Sequence, residues 1–175
     1  MNTPSRKQFI ELITHFKLAT EATKEALASE YEQVTRQDAE GKRPITPLLD
    51  FCMQRAGTRE RAEAIFNHVL KNSRISYWPN PEVAPHLRDN QEIKEVCSKH
   101  FIVPVKATEH LLVLCGCNPH DSEGPGAIWQ KLAGKKPPFP VVALSEPERI
   151  RKALTHFAEV YEHCRNPQPD PQRGI

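Results

Sequence analysis

The sequence predicts an α/β (α+β) protein in which a helical N-terminal part precedes a small mixed sheet with helices packed on it. Apolar residues recur at helical spacing through the first 70 residues. Three apolar runs of strand length follow, at 101–105, 111–115 and 139–144. Amphipathic segments separate these runs, which is the order expected of an α/β unit.

The helical part divides into two predicted hairpins, residues 1–35 and 48–72, joined by a polar linker over 36–47. The linker is predicted from its glycine and two prolines, which punctuate regular structure. Thr20 and Thr58 precede apolar stripes and are the predicted N-caps of the second helix in each hairpin. The two hairpins are similar enough in design to suggest a degenerate internal repeat.

Residues 73–164 form the predicted α/β subdomain, which starts with a possible short strand at Ile75–Trp78. Pro104 cannot donate a ladder hydrogen bond, so its strand is expected at an edge or at a bulge. The next run, Leu111–Cys115, is apolar throughout, which predicts a central strand buried on both faces and paired with the first as a hairpin.

The last helix is predicted to begin with Ser145 as N-cap and Glu148 at the third helical position, as in a capping box. Beyond it, residues 165–175 contain three prolines and no apolar periodicity. This composition predicts a disordered tail.

Composition excludes several classes of function. Lys and Arg number 24 against 22 Asp and Glu, and they are spread along the chain, so the sequence offers no basic face for nucleic acid. No run approaches the roughly 18 apolar residues of a membrane span, and we identify no signal peptide. With five irregularly spaced cysteines, these features predict reduced thiols and a cytoplasmic location.

Five segments carry a resemblance to a known family. They are the helix end Cys97–His100, the strands Ile102–Val105 and Leu111–Cys115, the turn Asn118–Pro119, and the closing strand and helix over 141–154. In this order, after two helical hairpins, they resemble the N-terminal domain of bacterial type II secretion and type IV pilus ATPases (the GspE N-terminal or MshE N-terminal type). The resemblance covers about Phe9 to Tyr161.

The resemblance implies a regulatory or protein-interaction module whose partner is a secretion or pilus assembly component. The ATPase motor itself is not expected, because the chain has no phosphate-binding glycine loop of the Gly-x-x-x-x-Gly-Lys-Ser/Thr type. We therefore predict no enzymatic activity and no cofactor.

A cyclic dinucleotide sensor is one alternative. Some members of the resembled family bind cyclic di-GMP through an Arg-Leu-Gly motif that opens each hairpin, and neither hairpin here carries it. Arg43, Arg55 and Arg59 are the residues left to contact a nucleotide.

A metal-binding or thiol-dependent protein is the other alternative. Cys115 and Cys117 are two residues apart on a strand and so can face one ion, with His120 as a third ligand. Core packing of both thiols is the competing interpretation. Cys97 and His100 are three apart on one helix face, but that helix shows no acid to orient the imidazole.

Overall fold

The computed structural model describes residues 3–41, 46–119, 121–132 and 140–165. Within these ranges the predicted α/β class is confirmed, since about 61% of the chain is helix and about 12% is strand. The described elements are, in order, α1 (Thr3–His15), α2 (Lys24–Glu40), α3 (Leu48–Gln54), α4 (Arg59–Ser73), α5 (Gln91–His100), β1 (Ile102–Ala107), β2 (Leu112–Gly116), α6 (Glu123–Leu132), β3 (Pro140–Leu144) and α7 (Pro147–Arg165). Short 3₁₀ turns cover Glu21–Thr23 and Pro85–Leu87.

The sheet has the order β1-β2-β3 and is mixed. β1 and β2 form the predicted antiparallel hairpin, while β3 runs parallel to β2. All five residues of β2 are buried, as its unbroken apolar sequence predicts for the central strand. Pairing slips between Pro104 and Lys106, which confirms the predicted bulge at the proline of this edge strand.

The Ile75–Trp78 segment was predicted as a strand and forms only an isolated bridge. Tyr77 pairs in parallel with Leu144, the last residue of β3. Two backbone hydrogen bonds make this bridge, from the Trp78 amide to the Leu144 carbonyl (2.8 Å) and from the Leu144 amide to the Ser76 carbonyl (2.9 Å). β3 ends at the bridged residue Leu144, so no later β3 residue extends the pairing beyond Tyr77.

The predicted linker over 36–47 is wrong at its start, because α2 continues to Glu40. Its last turn is polar, and the Asp38 carboxylate accepts hydrogen bonds from the Thr46 amide (2.9 Å) and hydroxyl (2.7 Å). These bonds tie the helix end to the chain entering α3. Residues 42–45 lie outside the described part of the chain.

The helical and α/β parts share a single cluster of buried apolar side chains that extends from Phe9 to Phe157. Phe9 of α1 stacks on Tyr31 of α2 with ring centroids 6.2 Å apart, and both rings contact Phe51 of α3. The aromatic packing of the first hairpin therefore includes a side chain of α3. The predicted boundaries between subdomains do not separate independent cores.

Asp50 of α3 is the buried acid in the described part of the chain. Its carboxylate pairs with Arg151 of α7 and accepts a hydrogen bond from the Gln54 amide group at 3.1 Å. Burial nevertheless raises the pKa of Asp50, because loss of hydration outweighs the attraction of Arg151. This ion pair joins the helical part to α7.

One of the three predicted N-caps holds. Thr58 caps α4, with its hydroxyl oxygen accepting from the Arg61 amide at 3.3 Å. Thr20 is wrong as the cap of α2, because it precedes the 3₁₀ turn Glu21–Thr23 and Thr23 is the N-cap of α2. The Ser145 cap is wrong, because α7 begins at Pro147 and Ser145 is fully buried. Its amide donates to the Gly116 carbonyl at the end of β2 (2.9 Å), which draws Ser145 into the sheet. The predicted tail over 165–175 is wrong at Arg165, which is the last residue of α7, and residues 166–175 lie outside the described part of the chain.

Candidate functional site

An open cleft lies between the segment 79–88 and the first half of α7. Its volume is about 690 Å³, which is within the range of ligand and peptide sites. One wall is the proline-containing segment that leaves the Tyr77 bridge. The other wall is the α7 face that carries Glu148, Arg149, Lys152, Ala153, His156 and Phe157.

Arg149 holds the two walls together at one end. Its guanidinium donates to the Pro79 carbonyl and to the Asn80 side-chain oxygen (3.1 Å), while its Nε pairs with Glu146 at 3.0 Å. The Tyr77 hydroxyl donates to the same Glu146 carboxylate at 2.7 Å. These contacts anchor the start of the wall, and the wall ends in the 3₁₀ turn Pro85–Leu87.

The floor of the cleft is apolar and its rim is charged. Val83, Ala153 and Phe157 are buried beneath it, with 6%, 6% and 2% of their surface exposed. Arg88, Lys152 and His156 are exposed on the rim, together with Glu82. An apolar centre with a charged rim is the usual anatomy of a protein interface.

The arginines predicted to contact a nucleotide do not meet in this cleft. The Arg55 guanidinium stacks 3.5 Å over the Phe51 ring and pairs with Glu30 of α2, so it serves to hold α2 on α3. Arg59 is largely exposed and pairs with Glu63 on its own helix at 2.8 Å. Arg43 lies outside the described residues. Arg55 and Arg59 therefore make separate structural contacts and do not form one binding site.

The two thiols of the metal hypothesis, those of Cys115 and Cys117, are both buried. Burial raises the pKa of Cys115 to about 12 and that of Cys117 well above its ordinary value, with the charge of Asp50 adding to the shift for Cys117. A metal ligand must be a thiolate, which these surroundings disfavour. His120 is outside the description, and the described ranges hold no cluster of three or more His, Cys, Asp or Glu side chains suited to a metal ion.

Asp121 is an acid close to the Cys97 and His100 pair that was not predicted from the sequence. Asp121, from the turn before α6, brings a carboxylate oxygen to 3.9 Å from the His100 Nδ1 atom. That separation exceeds a hydrogen bond, and the other Asp121 oxygen accepts from the amides of Glu123 (3.0 Å) and Gly124 (3.1 Å). Cys97 is fully buried, and burial raises the pKa of its thiol. The group therefore lacks an accessible thiolate.

The cations of the cleft, which are Arg88, Arg149 and Lys152, were not predicted as site residues from the sequence. The two walls are about 60 residues apart in sequence, and each was interpreted alone, as a turn-rich segment and as an amphipathic helix. One signal was present, since Arg149, Lys152 and His156 recur at spacings of three and four residues along one face of the predicted helix.

Comparison of the chain with protein-family models, with curated proteins and with solved structures finds no match. None of the helices over the described ranges is long and apolar enough to cross a membrane. The fold and the cleft are thus the observations on which a functional proposal can rest.

Proposed function

We propose that this protein is a non-catalytic protein-interaction module that binds its partner through the cleft between segment 79–88 and α7. The observation that carries the proposal is the combination of a buried apolar floor with an exposed charged rim, beside a wall that Arg149 anchors by hydrogen bonds. Preformed surfaces of this kind bind without ordering a loop, which lowers the entropic cost of association.

The order of elements also supports an interaction role. Two helical pairs are followed by a bridge, α5, β1, β2, α6, β3 and α7, which is the order on which the resemblance to secretion and pilus ATPase N-terminal domains rests. A secretion or pilus assembly component is accordingly the partner we propose. We propose a cytoplasmic location as well, because the four cysteines with described side chains are free thiols.

Site-specific photo-crosslinking tests the proposal. A benzoylphenylalanine at position 82, on the exposed rim, is compared with one at position 130, which is exposed on α6 and outside the cleft. In cells that make the protein, we expect a cross-linked partner at position 82 and none at position 130. The purified partner should then bind the full chain in calorimetry. Identical cross-linking patterns at the two positions would contradict the proposal.

A further inference from the structure

We infer that Tyr77 and Glu146 are positioning residues that act from outside the cleft, by holding the Arg149 guanidinium against the start of the segment 79–88 wall. We refer to these three residues as the relay. The inference rests on the proposed interaction function and adds to it how the binding surface is kept in place. Tyr77 and Glu146 are not among the residues that line the cleft, so they act on a bound partner through Arg149.

The Glu146 carboxylate is held at both of its oxygen atoms. The Tyr77 hydroxyl donates to Oε1 at 2.7 Å, and the Arg149 Nε pairs with Oε2 at 3.0 Å. The Ser145 hydroxyl donates to Oε2 at 3.4 Å, the longest of the three contacts. Because Tyr77 and Arg149 use different oxygens, rotation of the carboxylate breaks both bonds, and this restricts the Arg149 side chain to one position.

Arg149 passes this position on to the wall. Its Nη1 atom donates to the Pro79 carbonyl and, at 3.1 Å, to the side-chain oxygen of Asn80. The Asn80 carbonyl also accepts from the Trp78 indole at 3.2 Å. The start of the wall therefore has two anchors, the guanidinium and the indole, and both hold the same asparagine.

The relay controls only the first part of the wall. Ala84 is buried, and its amide donates to the Pro104 carbonyl at 2.8 Å, which fixes the middle of the segment to β1. Residues 79–82 precede this contact, and all of them except Pro81 are exposed. Loss of the relay should therefore release this stretch and leave the rest of the wall in place.

The relay should affect the position of the wall more than the stability of the fold. The side chains of Arg149 and Glu146 are 46% and 28% exposed, and ion pairs in such surroundings add little to the free energy of unfolding because water and salt screen them. A Tyr77→Phe variant should therefore melt within about 2 °C of the wild type and show its effect locally.

Trp78 fluorescence tests the inference without a partner. A Trp129→Phe protein keeps Trp78 as its one tryptophan, at the start of the wall. Tyr77→Phe in this protein removes the hydroxyl and keeps the ring, which packs on Phe66 with centroids 5.9 Å apart. The released form of the wall should become about fivefold more populated, the factor for loss of one hydrogen bond, with red-shifted emission and stronger quenching by acrylamide.

Tyr31→Phe is the matched control, because the Tyr31 hydroxyl donates to a backbone carbonyl at 3.3 Å outside the cleft. It should leave the emission and quenching of Trp78 unchanged. In an Arg149→Gln background, Tyr77→Phe should have no further effect, since no guanidinium remains to be positioned. Circular dichroism checks that each variant is folded. Should the Trp129→Phe protein not fold, the same comparison is made in the two-tryptophan protein.

A Tyr77→Phe protein with the parent's Trp78 emission and quenching would overturn the inference, as would an equal change in the Arg149→Gln background. In cells, Tyr77→Phe should reduce the capture of the partner by benzoylphenylalanine at position 82, and undiminished capture would also overturn it. If position 82 captures no partner in the wild type while Trp78 responds as expected, the relay holds and the proposed interaction function is wrong.

Discussion

Replacement of Gly124 by alanine is expected to destabilise the protein, although alanine normally favours a helix. Gly124 lies in the first turn of α6 where it passes the end of α5. A Cβ atom there would lie 2.7 Å from the His100 Cβ, 2.7 Å from an Asp121 carboxylate oxygen and 3.1 Å from the His100 Cγ. Since ordinary contacts are about 3.5 Å or longer, the helices would have to separate by about 0.8 Å.

The magnitude follows from two opposing terms. Overpacking against an atom that no rotamer change can move costs about 1–3 kcal/mol, and the His100 Cβ is such an atom. Replacing glycine by alanine within a helix normally stabilises the folded state by about 0.5–1 kcal/mol. The net loss is about 1 kcal/mol, which lowers the melting temperature by about 2–4 °C in a chain of this size.

Gly126 provides the matched control in the same helix. A Cβ there would meet no atom within 4 Å, so Gly126→Ala should gain the helix term alone and raise the melting temperature by about 1–4 °C. Thermal unfolding followed by circular dichroism compares the two variants with the wild type. A Gly124→Ala protein that melts at or above the wild-type temperature would refute the close packing of α5 on α6.

Three further predictions concern charge, thiols and a cap. Asp50→Asn removes a carboxylate whose pKa the fold raises, so wild-type stability relative to this variant should fall as the pH rises above the ordinary value of 3.8, where the unfolded state loses its proton first. Urea unfolding of both proteins from acid to neutral pH measures this, and a relative stability that rises with pH would show that the ion pair with Arg151 dominates. The four thiols with described side chains are buried, so a Cys164→Ser variant should show no fast-reacting cysteine in native buffer and four after unfolding. A thiol reagent that is followed by absorbance measures this. Rapid reaction of even one cysteine in the native protein would be inconsistent with the burial. Thr58→Ala should cost about 1 kcal/mol in the same unfolding assay by removing the cap of α4, whereas a loss within error would mean that the Thr58 hydroxyl does not cap the helix.

Local patterns were sufficient to predict most of the sheet and of the helices beside it. The apolar run of β2 and the proline of β1 each specify their element within a few residues. The last turn of α2 was missed because residues 36–40 show no apolar periodicity, although the C-cap of the helix is Gly41, which is a local stop signal.

The candidate site was less predictable than the fold. Arg55 and Arg59 stand in a basic run that suggested a ligand contact, yet in the structure each pairs with a nearby acid. The cations of the cleft lie on two segments that are brought together only by tertiary contacts such as the bond from Arg149 to Asn80. The spacing of residues within one helix does not show which distant segment of the chain packs beside that helix.

Helix α2 has no fully buried side chain, although it is 17 residues long. It is held by half-buried groups such as Leu27, Tyr31 and Val34 and by the ion pair from Glu30 to Arg55. Its detachment would expose fewer fully buried side chains than disruption of β2, whose five residues are all buried, so it requires less free energy. Amide hydrogens of α2 should therefore exchange with solvent through local opening, while those of β2 exchange only when the whole chain unfolds.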